Sequence, residues 1–149
     1  FSNEGYEGLD VTRMGIYKNA FELIKENPFF GIGAGSFTEI FFFNTNFWKG
    51  HSHNLLFELS ISYGLPATII FLITTLNILY LSSKKIFSSK IKIDLNYIDR
   101  AFWSALFFFL ISQLADVQYF DGKISLITWI LMAGLKNIIL DNQYRNLAQ

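Results

Sequence analysis

The sequence contains no cysteine and few charged residues, and both shortages restrict what the chain can be. Without cysteine, a disulfide framework and a thiolate metal site are excluded. Only 16% of the residues are charged, whereas 52% are hydrophobic and 18% are aromatic, a balance too apolar for a soluble domain of this length. The formal net charge is zero, so we expect no bulk attraction to nucleic acid. The composition therefore predicts a membrane protein.

The start of the chain lacks the features of a natural N-terminus. The first residue is Phe1 instead of methionine, and no basic region with a cleavage site follows it. We therefore expect the sequence to be a piece of a longer protein.

Long apolar runs in the second half predict transmembrane helices, since a bilayer requires roughly 17 to 25 residues per helical span. Three spans are predicted, at about residues 64–83, 101–119 and 124–140. The loop at 84–100 is basic, which places it in the cytoplasm by the positive-inside rule. Its lysines are Lys84, Lys85, Lys90 and Lys92, and Lys136 and Arg145 mark the inner end of the third span in agreement with that orientation. Residues 1–63 are then expected on the outer side.

A helix is predicted over about residues 11–26, with Asp10 as its cap and Asn27-Pro28 as its end. At about 100° per residue its apolar stripe consists of Met14, Tyr17, Ala20, Phe21 and Ile24. Arg13 projects onto that apolar side, which is unusual for a solvated arginine.

The remainder of residues 1–63 predicts short elements. Alternating glycines at 31–36 indicate a turn, and the aromatic stretch 37–48 is too short to span and suits a membrane interface or a re-entrant segment. A short helix over 53–63 leads into the first span. The predicted fold class is an all-α membrane protein: a periplasmic helical segment followed by about three transmembrane helices, within a larger multi-spanning bundle.

Two groups of residues in the first half resemble a known family. The first group is Arg13, Tyr17, Ala20, Asn27-Pro28, Gly31, Gly33, Gly35 and Phe37, and the second is His53-Asn54 followed by Gly64. This pattern resembles the C-terminal portion of the O-antigen ligase and O-antigen polymerase family, over about residues 10–72. Ala67 departs from the residues usual in the ligases, so ligase and polymerase both stay open.

The resemblance implies a glycosyltransferase in the bacterial inner membrane, with residues 1–63 on the periplasmic side. Its partners would be a glycan linked to polyprenyl diphosphate and an acceptor glycan or lipid carrying the hydroxyl to be glycosylated. No cofactor or metal is expected. The family implies further arginines upstream, so we expect this piece to be inactive alone.

The resemblance also implies roles for individual residues. Arg13 would bind the diphosphate, because a guanidinium binds phosphate oxygens through charge-assisted and often bidentate hydrogen bonds. His53 would act as the general base or orient the acceptor, since imidazole titrates near neutral pH. Asn54 would hold His53, and with Tyr17 and Arg13 it completes the expected substrate-binding set.

Plainer interpretations compete with these roles. Arg13 could reach lipid headgroups or pair with Glu39, and His53 could merely cap a helix. His51 and His53 suggest a metal site, yet no cysteine and few nearby carboxylates are present to complete the ligand set, and His51 is interpreted as incidental.

Two further features of the second half invite a functional reading. Asp116 and Asp121 are interpreted as solvated loop carboxylates. A different function, a transporter or transport accessory protein such as one for inorganic-carbon uptake, would need polar residues along its path through the spans. The candidates are Thr74, Thr75, Asn77 and Gln113, which serve equally well as contacts between helices.

Overall fold

The structure is a computed structural model that describes residues 12–87 and 97–141. Within those two ranges the regular elements are all α-helices, as the sequence predicts. They are α1 (Arg13–Glu26), α2 (Ser36–Thr45), α3 (Leu55–Ile86), α4 (Tyr97–Ser112) and α5 (Gly122–Leu140). Asp10, Lys90, Lys92 and Arg145, on which part of the sequence argument rests, lie outside the described residues.

The chain divides into two compact units. The first unit comprises the described residues up to Ile70 together with Gln113–Val117. The second unit comprises Phe71–Ser112 and the described residues from Gln118 onward. Where each unit lies relative to a membrane stays a prediction.

Helix α1 starts and faces differently from the prediction. Its N-cap is Thr12 rather than Asp10, because the Thr12 hydroxyl accepts a hydrogen bond from the Gly15 N–H at 3.2 Å. Two residues of the predicted apolar stripe, Met14 and Phe21, are 77% and 51% exposed. The buried side chains are Ile16, Ala20, Leu23 and Ile24. Periodicity locates apolar residues on a helix, but it does not distinguish a face that packs against protein from one that faces an apolar solvent.

The core of the first unit is formed by α1, α2 and the start of α3. Phe37 and Phe41 from α2 are buried with Ile61 from α3 against the buried face of α1. Full burial of one such side chain stabilises a fold by about 1.5–3 kcal/mol. The aromatic stretch does form a short element, and Phe43 and Trp48 remain 87% and 71% exposed.

The glycine run is a turn, as predicted, and it lies against α3. Gly31 has a φ of 67°, and the next residue, Ile32, donates its N–H to the Ile61 carbonyl at 2.7 Å. Gly64 has a φ of 84° and interrupts helical geometry, so α3 consists of two helical segments that meet at a kink, where the predicted short helix ends and the first span begins. The kink leaves the Leu65 N–H to bond the Pro28 carbonyl at 2.7 Å. Both glycines are required because backbone approaches backbone there.

The second unit packs α4 and α5 with the later part of α3. Its buried cluster is Leu79, Ile86, Leu106, Met132, Leu135 and Ile138. The Trp103 indole donates to the Leu79 carbonyl at 2.9 Å. The Lys85 ammonium bonds the Ile138 and Asp141 carbonyls at 3.2 and 3.1 Å, at the C-terminus of α5, where the helix dipole favours a cation.

Two of the described helices, α3 and α5, are long and apolar enough to cross a membrane. Only 22% of the most apolar window of each is buried inside the molecule, which suits side chains that face lipid. Helix α4 has 16 residues and ends at Ser112, so the predicted extension of the second span to residue 119 is wrong. The chain turns at Gln113 because its carbonyl bonds the Leu55 N–H at 2.9 Å in the first unit.

Candidate active site

His53 lies in the loop that precedes α3. Its backbone N–H, its backbone carbonyl and its ring Nδ1 each form a hydrogen bond. Its backbone has a φ of 55°, a left-handed conformation that few residues other than glycine adopt. Its N–H donates to His51 Nδ1 at 3.2 Å, and its carbonyl accepts from the Tyr17 hydroxyl at 3.4 Å. The strained backbone is thus fixed on both sides, as occurs at sites where a side chain must point in one direction.

The His53 ring contacts a carboxylate that sequence analysis placed in a solvated loop. His53 Nδ1 lies 3.0 Å from Asp116 Oδ1. This hydrogen bond, together with the two nearby imidazoles and the Val117 N–H, holds the pKa of Asp116 below its usual value. In the tautomer with its proton on Nδ1, His53 donates a hydrogen bond to Asp116, and Nε2 keeps its lone pair. Within the described residues, Nε2 forms no hydrogen bond.

Asn54 is the N-cap of α3, so the interpretation of His53 as a capping histidine is wrong. The Asn54 Oδ1 accepts from the Leu56 N–H at 3.0 Å and from the Phe57 N–H at 3.3 Å. Its Nδ2 donates to the Leu114 carbonyl at 3.1 Å. The side chain therefore fixes the residue beside His53 and also ties the loop to the segment that carries Asp116. Substrate binding by Asn54 stays a prediction.

The same loop has a second, buried anchor. The Glu58 side chain, 4% exposed, accepts a hydrogen bond from the Ser52 N–H at 2.8 Å. Ser52 Oγ in turn donates to the Asn54 carbonyl at 3.2 Å. Because a buried carboxylate is costly without such partners, this contact resists opening of the loop.

Arg13 and Tyr17 occupy adjacent turns of α1. Arg13 is the first residue of the helix and is exposed, and the first turn contains no acidic residue. Among the described residues no ion pair involves Arg13, so the alternative pairing with Glu39 is not found. The Tyr17 ring packs edge-on against Phe57, with centroids 5.3 Å apart. Residues four apart are neighbours on a helix, so Arg13 lies one turn before Tyr17, the residue that contacts His53.

His51 is not incidental, in contrast to the sequence interpretation. Its ring lies 4.5 Å from the His53 ring, edge to face, and its Nε2 lies 3.8 Å from Asp116 Oδ1. Burial lowers the pKa of His51, with a further contribution from His53. The neutral ring is thereby favoured, which agrees with Nδ1 acting as the acceptor for the His53 N–H.

His51, His53 and Asp116 could together hold a metal ion, because one ligand atom from each lies within 4.8 Å of the others. Asp116 is the carboxylate that the sequence argument found missing. The hydrogen bonds favour a different use of these groups. With His51 Nδ1 accepting from a backbone N–H, its proton is on Nε2, the atom that faces Asp116. A metal-bound histidine normally donates its other N–H to an acceptor, and here that position faces a donor.

Comparison with known proteins yields a family match in the first part of the chain. A family model described as O-antigen ligase matches residues 2–72. Over these residues the chain is similar to the O-antigen ligase family. That match includes Arg13, Tyr17, His53 and Asn54, whereas Asp116 lies beyond it. No curated protein and no solved structure matches the chain.

The O-antigen ligase family is membrane-embedded, and the two apolar helices are in accord with that match. The structure describes all four polar residues considered for a transport path. Thr75 is buried while Thr74 and Asn77 are exposed on α3, and Gln113 belongs to the first unit. Asp121 is the N-cap of α5, because its side chain accepts from the Lys123 and Ile124 N–H groups.

Proposed function

We propose that the protein transfers a glycan from a polyprenyl diphosphate carrier to an acceptor hydroxyl at the outer face of the bacterial inner membrane. The observation that carries this proposal is the pairing of His53 Nδ1 with Asp116 at 3.0 Å, which leaves Nε2 as the available base. The O-antigen ligase family domain over residues 2–72 supplies the reaction class.

In the proposed reaction, the acceptor hydroxyl gives its proton to His53 Nε2 as its oxygen attacks the anomeric carbon of the glycan. The bond from that carbon to the diphosphate oxygen breaks, and the electron pair leaves with the diphosphate. Diphosphate is a good leaving group without protonation, so no separate acid is required. Asp116 stabilises the imidazolium that forms, and the proton is later released to water.

Arg13 stabilises the negative charge that develops on the diphosphate. Its position supports this role, because the N-terminus of α1 carries the positive end of the helix dipole and has no acidic residue in its first turn. An exposed guanidinium at that end creates a local anion site in a chain whose net charge is zero. Further arginines upstream, which the family resemblance implies, would complete the diphosphate site, so this piece alone is expected to be inactive.

In-cell complementation of the full-length protein tests this function. Strains that carry Arg13→Ala or His53→Ala should display far less polysaccharide at the cell surface, because loss of one oriented charge donor lowers the rate by about 10²- to 10³-fold. Lys18→Ala, which removes an exposed cation from the same helix, is the matched control and should retain display. Wild-type display from both site variants would refute the mechanism.

Both a ligase, which attaches polysaccharide to a lipid core, and a polymerase, which extends the chain, follow this chemistry. The identity of the accumulated product in the complemented strain separates them. A transporter would instead move solute in proteoliposomes that contain no lipid-linked glycan. Glycan transfer without such flux is the expected result.

A further inference from the structure

We infer that His51 is a positioning residue for His53: its imidazole acts as a fixed acceptor that holds the His53 backbone in its left-handed conformation. This inference rests on the proposed function of His53. The observation behind it is the 3.2 Å hydrogen bond from the His53 N–H to His51 Nδ1. No metal ion and no proton transfer through His51 are required.

The need for such an anchor follows from the backbone of His53. A φ of 55° is uncommon for a residue with a Cβ, although histidine adopts it more often than most. The surrounding contacts must therefore hold it. Tyr17 holds the carbonyl and Asp116 holds the ring, so the N–H is the one backbone group left for His51.

The direction of the His53 ring depends on this backbone conformation. If the N–H loses its acceptor, the residue can relax toward negative φ, and the ring then turns away from Asp116. The ring contact at 4.5 Å between His51 and His53 would be lost in the same movement. Nε2 of His53 would spend less time facing the acceptor hydroxyl, which lowers the rate of the chemical step without changing donor binding at Arg13.

The environment of His51 suits an acceptor and does not suit a metal ligand. Burial lowers its pKa and favours a neutral ring. Its Nδ1 accepts a hydrogen bond while its Nε2 lies 3.8 Å from Asp116, beyond hydrogen-bond distance. In that tautomer no nitrogen of His51 offers a free lone pair to a cation.

Two variants of the full-length protein separate the acceptor from the rest of the ring. His51→Asn keeps an acceptor oxygen at the same number of bonds from the backbone as Nδ1, whereas His51→Ala removes it. We expect His51→Ala to lower kcat by about fivefold, the loss of one hydrogen bond of about 1 kcal/mol, with the KM for the polyprenyl-diphosphate glycan unchanged. His51→Asn should retain wild-type kcat.

A measurement independent of activity follows the same contact. Hydrogen exchange of the His53 amide should accelerate by about fivefold in His51→Ala and stay near wild type in His51→Asn. In a His53→Ala background, His51→Ala should cause no further loss of activity, because it acts through His53.

Three results would overturn the inference. An equal fall in kcat for His51→Asn and His51→Ala would mean that the ring itself is needed. Loss of wild-type activity on chelation and recovery with Zn²⁺ would establish a metal site instead. Unchanged exchange of the His53 amide in His51→Ala would show that the hydrogen bond to His51 does not hold the His53 backbone. Failure of the proposed function would give a different result. His53→Ala would then retain full activity, while exchange of the His53 amide would still accelerate in His51→Ala.

Discussion

At the scale of single residues, the candidate site is defined by how completely His53 is held. Its N–H, its carbonyl and its Nδ1 each have a partner, namely His51, Tyr17 and Asp116. A side chain fixed in this way loses little entropy when a substrate arrives, which is how an active site lowers the barrier to a reaction between two bound groups.

The carboxylate partner of His53 gives the first residue-scale prediction. Asp116→Asn keeps the oxygen that accepts from the Val117 N–H at 3.0 Å, but it removes the charge that selects the reactive tautomer of His53. We expect glycan transfer to fall by about 10²-fold or more, since a wrong tautomer disables a histidine base. The measurement is the transfer rate of the purified full-length protein. Glu39→Gln, which neutralises an exposed carboxylate on α2, should have no effect.

The sequence predicts those residues of the site that belong to short local patterns. His53 and Asn54 are adjacent before Gly64, and Arg13 and Tyr17 are one helical turn apart, so the family resemblance, which depends on short local patterns, reaches these four residues. Asp116 does not follow from spacing. It is separated from His53 by 63 positions, and only the return of the chain after α4 brings it back. The sequence does show that Asp116 lies between two apolar helices. A carboxylate at such a position is equally well explained as a solvated loop residue.

At the scale of elements, α3 depends on a glycine at its kink. A Cβ added at Gly64 would collide with the backbone carbonyl group of Phe29, and the φ of 84° is already unfavourable for any L side chain. Gly64→Ala should therefore destabilise the protein by about 2–4 kcal/mol, combining backbone strain with the steric overlap. Thermal unfolding in detergent measures the loss.

Gly122→Ala is the matched control for the kink. Gly122 is the first residue of α5, and a Cβ there meets nothing within 4 Å. Alanine favours a helix, so the unfolding temperature should stay the same or rise slightly. Equal destabilisation by both substitutions would show that the kink is not a special position.

Helix boundaries were predicted well where a local signal exists and poorly where a distant contact decides. The end of α1 follows from Asn27-Pro28, and the end of α5 at Leu140 matches the hydropathy limit. The end of α4 at Ser112 does not follow from hydropathy, because apolar and polar residues alternate beyond it without a sharp limit. Pairing of the Gln113 carbonyl with the Leu55 N–H terminates it instead.

At the scale of the whole molecule, the absence of cysteine makes the membrane orientation directly testable. Single cysteines introduced at Asn46 and Lys84 should react differently with a membrane-impermeant maleimide added to intact cells with a permeable outer membrane. Asn46→Cys should be labelled, because the segment before α3 is predicted to face the periplasm. Lys84→Cys should be labelled only after lysis, because the basic loop is predicted to face the cytoplasm. The reverse labelling pattern would show the opposite topology. The candidate site would then lie on the cytoplasmic side, away from the proposed lipid-linked donor.

The central claim is that Arg13 binds the diphosphate while His53 activates the acceptor hydroxyl. Single-turnover glycan transfer by the purified full-length protein, measured together with the affinity for the polyprenyl-diphosphate donor, tests it most directly. The account predicts that both Arg13→Ala and His53→Ala lower the transfer rate by about 10²- to 10³-fold, and that donor affinity falls only in Arg13→Ala. Transfer at the wild-type rate in either variant would contradict it.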